Sequence, residues 1–201
     1  MDVYGGNYVV CTGSGTGSSF LLNRDGDGIF HLGLWKDMSA ITDGTSNTVL
    51  MAETLVGDER PITASSSLQE KHAAYQRIAR TQIWGSGDGY SYEKGGTPIV
   101  NPDIPADIEA GKGSGWDYNY FRIWISARGY HSTCNTYIMP NQPDCPNMGG
   151  GNLGFMASRS EHRSGVQVVY FDGSVHFISN TINRDIWHAM GSVNGGEVVS
   201  H

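Results

Sequence analysis

The chain contains no uninterrupted apolar run of about 18 residues, which excludes a bilayer-spanning helix within it. It is also short of positive charge: 13 Lys and Arg stand against 20 Asp and Glu, for a net charge of −7, and no block of five like charges occurs. Sequence-independent grip on nucleic acid needs a basic face, so that class of partner is excluded. The opening residues, Met1-Asp2-Val3-Tyr4-Gly5-Gly6, lack the basic start and apolar stretch of a secretory signal. The expectation is folded-domain sequence from the start: either the chain is cytoplasmic, or a targeting and anchoring segment has been removed or lies upstream. Only three cysteines are present, Cys11, Cys134 and Cys145, and no CxxC or Cys/His pair has zinc spacing. The seven histidines show no HxH, HxxxH or HExxH pattern, which argues against a catalytic metal.

What is abundant is glycine, 28 of 201 residues, together with five Trp, ten Tyr and six Phe. The aromatics supply enough apolar surface to exclude disorder. Glycine-rich turns and few helix formers point to short strands joined by tight loops, and 201 residues suffice for one core. Tyr4 to Val10 and Thr48 to Ala52 read as strands, and 121–125 alternates as a third. Ser39 to Gly44 reads as a single helical turn stopped by glycine. Residues 66–82 are the most helical stretch, with Leu68, Ala73, Ile78 and Ala79 among Gln, Glu, Lys and Arg. Residues 85–120, rich in Gly, Pro, Asp and Tyr without a period, read as a long loop excursion.

The C-terminal part, 162–199, carries the clearest pattern. Val166 to Phe171 and Ser174 to Ile178 flank Asp172-Gly173, a strong hairpin signal. Pairing across a two-residue turn sets Tyr170 opposite Val175 and Val168 opposite Phe177, so Val175 and Phe177 are expected in the core. Asn183 is placed to cap a short helix bearing Ile186, Trp187 and Met190, with Gly191 to end it.

Several side chains invite a chemical role. Cys134 and Cys145 flank Pro140 and Pro143, which could close a small loop. In an exported domain a bridge there would contribute about 2–3 kcal/mol, the alternative being three buried thiols. Asn23, Asp25, Asp27 and Gly28 match the first half of a calcium loop; position 12 would be Leu34, which has no ligand oxygen, so a structural calcium would need Asp37 or a carbonyl to complete its shell. The alternative is an ordinary Asp-Gly turn. Tyr90, Tyr92, Trp116, Tyr118 and Tyr120 cluster in or beside the excursion and suit contact with a glycan or protein, or packing onto the core. His162 and Asp172 suggest a His–Asp pair, but ten residues of extended strand span roughly 30 Å. Turn chemistry explains Asp172 better, and His162 is expected to tie its strand to the C-terminal helix. The nearest run to a nucleophile elbow, Gly44-Thr45-Ser46-Asn47-Thr48, lacks the last glycine and leads into a strand.

Three stretches also carry a resemblance. They are Ile41-Thr42-Asp43-Gly44-Thr45-Ser46-Asn47-Thr48 followed by Glu53; Tyr137-Ile138-Met139-Pro140-Asn141 followed by Cys145; and His162 followed by Asp172-Gly173-Ser174-Val175-His176-Phe177-Ile178, then Trp187 and Gly195-Gly196-Glu197-Val198-Val199. In this order the chain resembles a large planctomycete family of unknown function. Its members begin with a prepilin-type cleavage and methylation segment and carry an H-x9-D-G motif near the C-terminus. The resemblance implies a type IV pilin-like or pseudopilin-like envelope protein, in which a long N-terminal helix anchors an antiparallel sheet; that helix is not in this chain. His162, Asp172, Gly173, Asp43, Gly44 and Asn47 are then motif residues of structure.

The expectation is therefore one α+β domain over 1–201 around an antiparallel β-sheet, pilin-like without its anchoring helix. It would be extracytoplasmic or secreted, a structural or binding component acting on protein or glycan, open to homo-oligomer or filament formation. No catalytic residues are assigned, and no cofactor is expected beyond the possible calcium. The second reading is a secreted ester- or glycoside-cleaving hydrolase using the loop face.

Overall fold

In the computed structural model the described residues are 5–16, 26–31, 33–56, 132–142 and 154–196, with the backbone of 75–77, 115–117, 145–147 and 153. A five-stranded sheet lies at the centre, in the order β5-β1-β2-β8-β9. Its strands are β1 (Tyr8–Cys11), β2 (Val49–Glu53), β5 (Thr133–Cys134), β8 (Gly165–Tyr170) and β9 (Val175–Ser179). Two small ribbons accompany it, β3 (Tyr75–Arg77) with β4 (Gly115–Asp117), and β6 (Cys145–Asn147) with β7 (Leu153–Phe155). One α-helix, α1 (Arg184–Gly191), appears among the described residues. The architecture is a small α+β domain.

The sheet is mixed rather than purely antiparallel. β1 runs antiparallel to β2, but β5 joins it in parallel through Val10↔Thr133 and Cys11↔Cys134. A parallel neighbour requires a long return connection, which the stretch between β1 and β5 supplies. Within 66–82, Tyr75–Arg77 is a strand paired with Gly115–Asp117, where a helix was expected. Pairing with a strand distant in sequence outweighs the weak preference of isolated helix formers. The rest of 66–82, and 121–125, lie outside the described residues.

The core fills one face of the sheet. Val9, Cys11, Val49, Ala52, Val166, Val168, Tyr170 and Ile178 pack with Trp187 and Met190 of α1. The indole of Trp187 is buried and donates from Nε1 to the Ile138 carbonyl at 2.9 Å, so its polar atom is satisfied. Asn183 caps α1 as the sequence suggests, accepting from the N–H groups of Asp185 (2.8 Å) and Ile186 (3.2 Å). Gly191 does not end α1 through a left-handed conformation; it is the last helical residue. A Cβ there would meet Thr136 Oγ1 at 2.2 Å and the Gly13 carbonyl oxygen at 2.8 Å, so close approach demands glycine.

The β8–β9 hairpin forms, with a register one residue from the expected one. Val169 faces Val175, Val168 faces His176 and Gln167 faces Phe177. Tyr170 N–H donates to the Ser174 carbonyl at 2.9 Å and Gly173 N–H to the Tyr170 carbonyl at 3.0 Å. With Gly173 at φ 86° this is a three-residue loop ending in a left-handed glycine, not a two-residue turn. Because side chains alternate with period 2, the slip sends Val175 and Phe177 to the opposite face. They are 61% and 46% exposed, and Ile178 takes the core position instead.

The expected Cys134–Cys145 bridge is not formed in this structure. Cys134, like Cys11, is a buried thiol that packs in the core. Cys145 belongs to β6, opposite Phe155 of β7. Cys134 is buried beside the strand pair β1–β5, where Cys11 is its register partner.

Candidate functional site

Three places gather the polar residues singled out above. The first lies at the end of the sheet where the hairpin turns. Asp43 sits in the loop before β2, where Gly44 has φ 97°. Its carboxylate accepts from Ser192 Oγ at 3.0 Å and from the N–H groups of Gly195 and Gly196 at 2.8 and 3.0 Å. The Val193 carbonyl returns the tie by accepting from Thr42 N–H (2.7 Å) and Asp43 N–H (3.2 Å). Asn47 donates from Nδ2 to the Asp43 carbonyl at 2.9 Å, fixing the loop. The same loop receives the hairpin: Thr45 accepts from Asp172 N–H at 3.1 Å and Thr48 from Phe171 N–H at 3.1 Å. Asp172 accepts from Ser174 N–H (2.9 Å) and Ser174 Oγ (2.6 Å), and these bonds hold its carboxyl below the usual range. Asp43, Gly44, Asn47, Asp172 and Gly173 thus form a clamp of loops, with both acids accepting from backbone amides and serine hydroxyls.

The second place is at the other end of β8. His162 does not reach the helix; its Nε2 lies 3.6 Å from Glu53 Oε1, and its ring stands edge-on to Phe177 at 6.1 Å. The β2 strand end, not α1, is the element packed beside it. Glu53 Oε2 accepts from Gln167 N–H at 2.8 Å, and the Glu53 carbonyl from Arg159 N–H at 2.9 Å. A pocket of about 200 Å³ opens here, lined by Glu53, Thr54, Arg159, Ser160, Glu161 and His162 among others. Asn141, at φ 62°, ties this end together by donating to Gly165 and Asn180 oxygens and accepting from Ser160 N–H at 2.8 Å. His162 and Asp172 therefore mark opposite ends of β8 and make no pair.

The third place joins Asp27, expected in a calcium loop, to residues the sequence did not set beside it. Asp27 accepts from Ser14 N–H at 3.0 Å and, at its other oxygen, from Ser14 Oγ. The surrounding pocket is about 480 Å³, lined by Thr16, Asp185, His188 and Ser192 as well. Glycine makes it possible, since a Cβ on Gly28 would stand 2.2 Å from the Thr12 carbonyl oxygen. His188 stacks on Tyr137 and its Nε2 lies 3.0 Å from the Tyr137 carbonyl; burial lowers its pKa. The repeated D-G of 25–28 marked this loop in the sequence, but nothing local announced that Ser14 would meet it.

The other expected site residues are less informative. Asn23 and Asp25 of the calcium loop lie outside the described residues. Its Asp27 carboxylate is engaged by Ser14, and Lys36 Nζ donates to the Gly26 and Gly28 carbonyls at 2.6 and 3.1 Å. An ammonium group thus already stands against the loop's carbonyl oxygens. Among the described residues no group of three His, Cys, Asp or Glu side chains could hold a metal ion. Trp116 lies in β4, described by its backbone alone, and Tyr90, Tyr92, Tyr118 and Tyr120 lie outside the described residues.

A hydrolase needs a nucleophile, a base that takes its proton, and donors for the developing charge in one place. Ser14 Oγ donates to a carboxylate already bonded to the Ser14 amide, while His188 Nε2 is directed at a backbone carbonyl. No helix among the described residues is long and apolar enough to cross a membrane.

Fold and sites together define a small α+β domain whose motif residues brace loops. The chain belongs to a family described as proteins of unknown function (DUF1559), whose model matches residues 6–185. No curated protein and no solved structure matches it.

Proposed function

We propose that this chain is an extracytoplasmic structural or binding component, pilin-like or pseudopilin-like in plan, that works by contact with protein or glycan. The observation that supports it is the face of the sheet opposite the core. Val10 faces Met51, Met51 faces Val169 and Val169 faces Val175, so an apolar row crosses four strands. Val10, Met51 and Val169 are half-buried and Val175 is exposed, with exposed Tyr8 and Phe177 alongside. An apolar row that stays partly open to solvent marks an interaction surface more often than a catalytic one. The aromatics Tyr90, Tyr92, Trp116, Tyr118 and Tyr120 belong to the same contact reading on their residue type alone.

Protein and glycan arrays probed with the full chain test this. Met51→Glu combined with Val169→Glu should abolish capture while the far-ultraviolet circular dichroism is unchanged. Turnover of an ester or glycoside, lost in Ser14→Ala with the fold intact, would replace this reading with the hydrolase.

A further inference from the structure

We propose that β9 is the seam of a homodimer, in which two copies pair their β9 strands antiparallel about a two-fold axis through Phe177. This rests on the contact reading and names one partner for it, a second copy of the chain. Among the described residues β9 is an edge of the five-stranded sheet, with β8 on its one paired side.

The direction of its peptide groups follows from the hairpin. Tyr170 N–H donates to the Ser174 carbonyl at 2.9 Å, and Asn180 N–H to the Ser164 carbonyl at 2.8 Å. In an antiparallel ladder the residues that bond to a given neighbour alternate. Ser174, His176, Ile178 and Asn180 therefore direct their peptides to β8, while Val175, Phe177 and Ser179 direct theirs outward.

Those outward peptides belong to residues whose side chains are also exposed, Val175 at 61% and Phe177 at 46%. Natural edges are usually guarded by lysine, proline or a bulge. Val175-His176-Phe177-Ile178-Ser179 has no Lys, no Pro and no Asp or Glu, and it pairs with β8 without a register shift.

A second copy suits this edge because the strand is complementary to itself. With the axis at Phe177, each Phe177 faces its symmetry mate and each Val175 faces Ser179 of the other copy, so all three outward residues find partners. An isologous contact requires this self-matching. Although each chain carries a net charge of −7, no carboxylate lies on the paired strands themselves. The pairing also joins the apolar rows of the two copies into one continuous face.

Sedimentation equilibrium of the full chain over a wide concentration range tests the proposal, with Phe177→Lys and Phe177→Cys beside the wild type. The wild type should approach twice the 21.8 kDa chain mass as concentration rises. Phe177→Lys sets two ammonium groups against each other at the axis and should weaken association by roughly tenfold or more. Phe177→Cys should cross-link with itself under mild oxidation, since facing Cα atoms in such a pair lie about 5.5 Å apart. Unchanged circular dichroism in both variants shows that the fold survives. A wild type that is monomeric throughout overturns the β9 dimer, as does a dimer that Phe177→Lys leaves intact. If that monomer is still captured on the arrays through Met51 and Val169, the contact reading stands without the dimer. If association is lost in Phe177→Lys and the arrays capture nothing, the dimer stands alone.

Discussion

The two faces of one hairpin behave as two different materials. On the inner face Val166, Val168 and Tyr170 are buried under α1, and Trp187 spans from helix to sheet with its one polar atom bonded. On the outer face Val169, Val175 and Phe177 are as apolar, yet Val169 is only half-buried and the other two are exposed. Composition does not separate the faces. What separates them is where α1 and residues 132–142 and 154–160 land, so apolar character on a strand is a licence for burial and not a guarantee of it.

The sharpest way to break the comparison is Trp187→Ala. It removes the largest fully buried side chain among the described residues and leaves the Ile138 carbonyl without its donor. The expected loss is about 3–5 kcal/mol in urea unfolding, and a loss below about 1 kcal/mol would show that α1 does not seal the core. Next comes Gly191→Ala, at the crowded contact with Thr136 and Gly13. Overpacking there should cost about 1–3 kcal/mol despite the better helix propensity of alanine. A stabilised variant would mean that the helix end can move aside.

A pH series sharpens the contrast further. Burial, helped by the charge of Asp172, pushes the Tyr170 hydroxyl up to about 12. A group whose folded pKa is raised contributes stability that is complete below its unfolded value near 10 and is lost as pH rises toward 12. Stability should therefore fall through that window, and Tyr170→Phe should flatten the fall. At the acid side His188 is lowered by burial, so its contribution holds above its ordinary value and is lost as pH drops below it. A His188→Gln variant should titrate less steeply there, and equal slopes would place the imidazole in solvent.

The smallest effect is expected on the open face. Phe177→Ala should change stability by about 1 kcal/mol or less, because the ring is already half in water. The register read from Asp172-Gly173 alone would have made it a core substitution costing about 3–5 kcal/mol. Denaturant midpoints of this variant and Trp187→Ala, measured side by side, discriminate the two registers directly.

How much was readable is clear from particular residues. Asn183 and the α1 face follow from local chemistry, as capping and helical periodicity act within a few residues. The hairpin's existence was likewise local, since Asp-Gly between β-branched runs turns the chain. Its register was not: a two-residue and a three-residue loop suit the same dipeptide, and the choice was made when Asp172 and Phe171 amides met the Thr45 and Thr48 carbonyls. The same holds for His162, whose partner Glu53 is more than 100 positions away, and for Ser14 on Asp27.

By itself the sequence determined the α+β class, the strands β1, β2, β8 and β9 to within a few residues, the capped helix, and the set of motif residues. Tertiary structure alone decided which apolar face is covered, that β5 joins in parallel, that Cys134 packs as a thiol, and that Asp43 holds the Gly195-Gly196 amides. The physical reason is range. Propensity, capping and turn chemistry are energies of neighbouring residues, whereas register, burial and carboxylate partners depend on contacts across the fold, which exist only once the chain is closed.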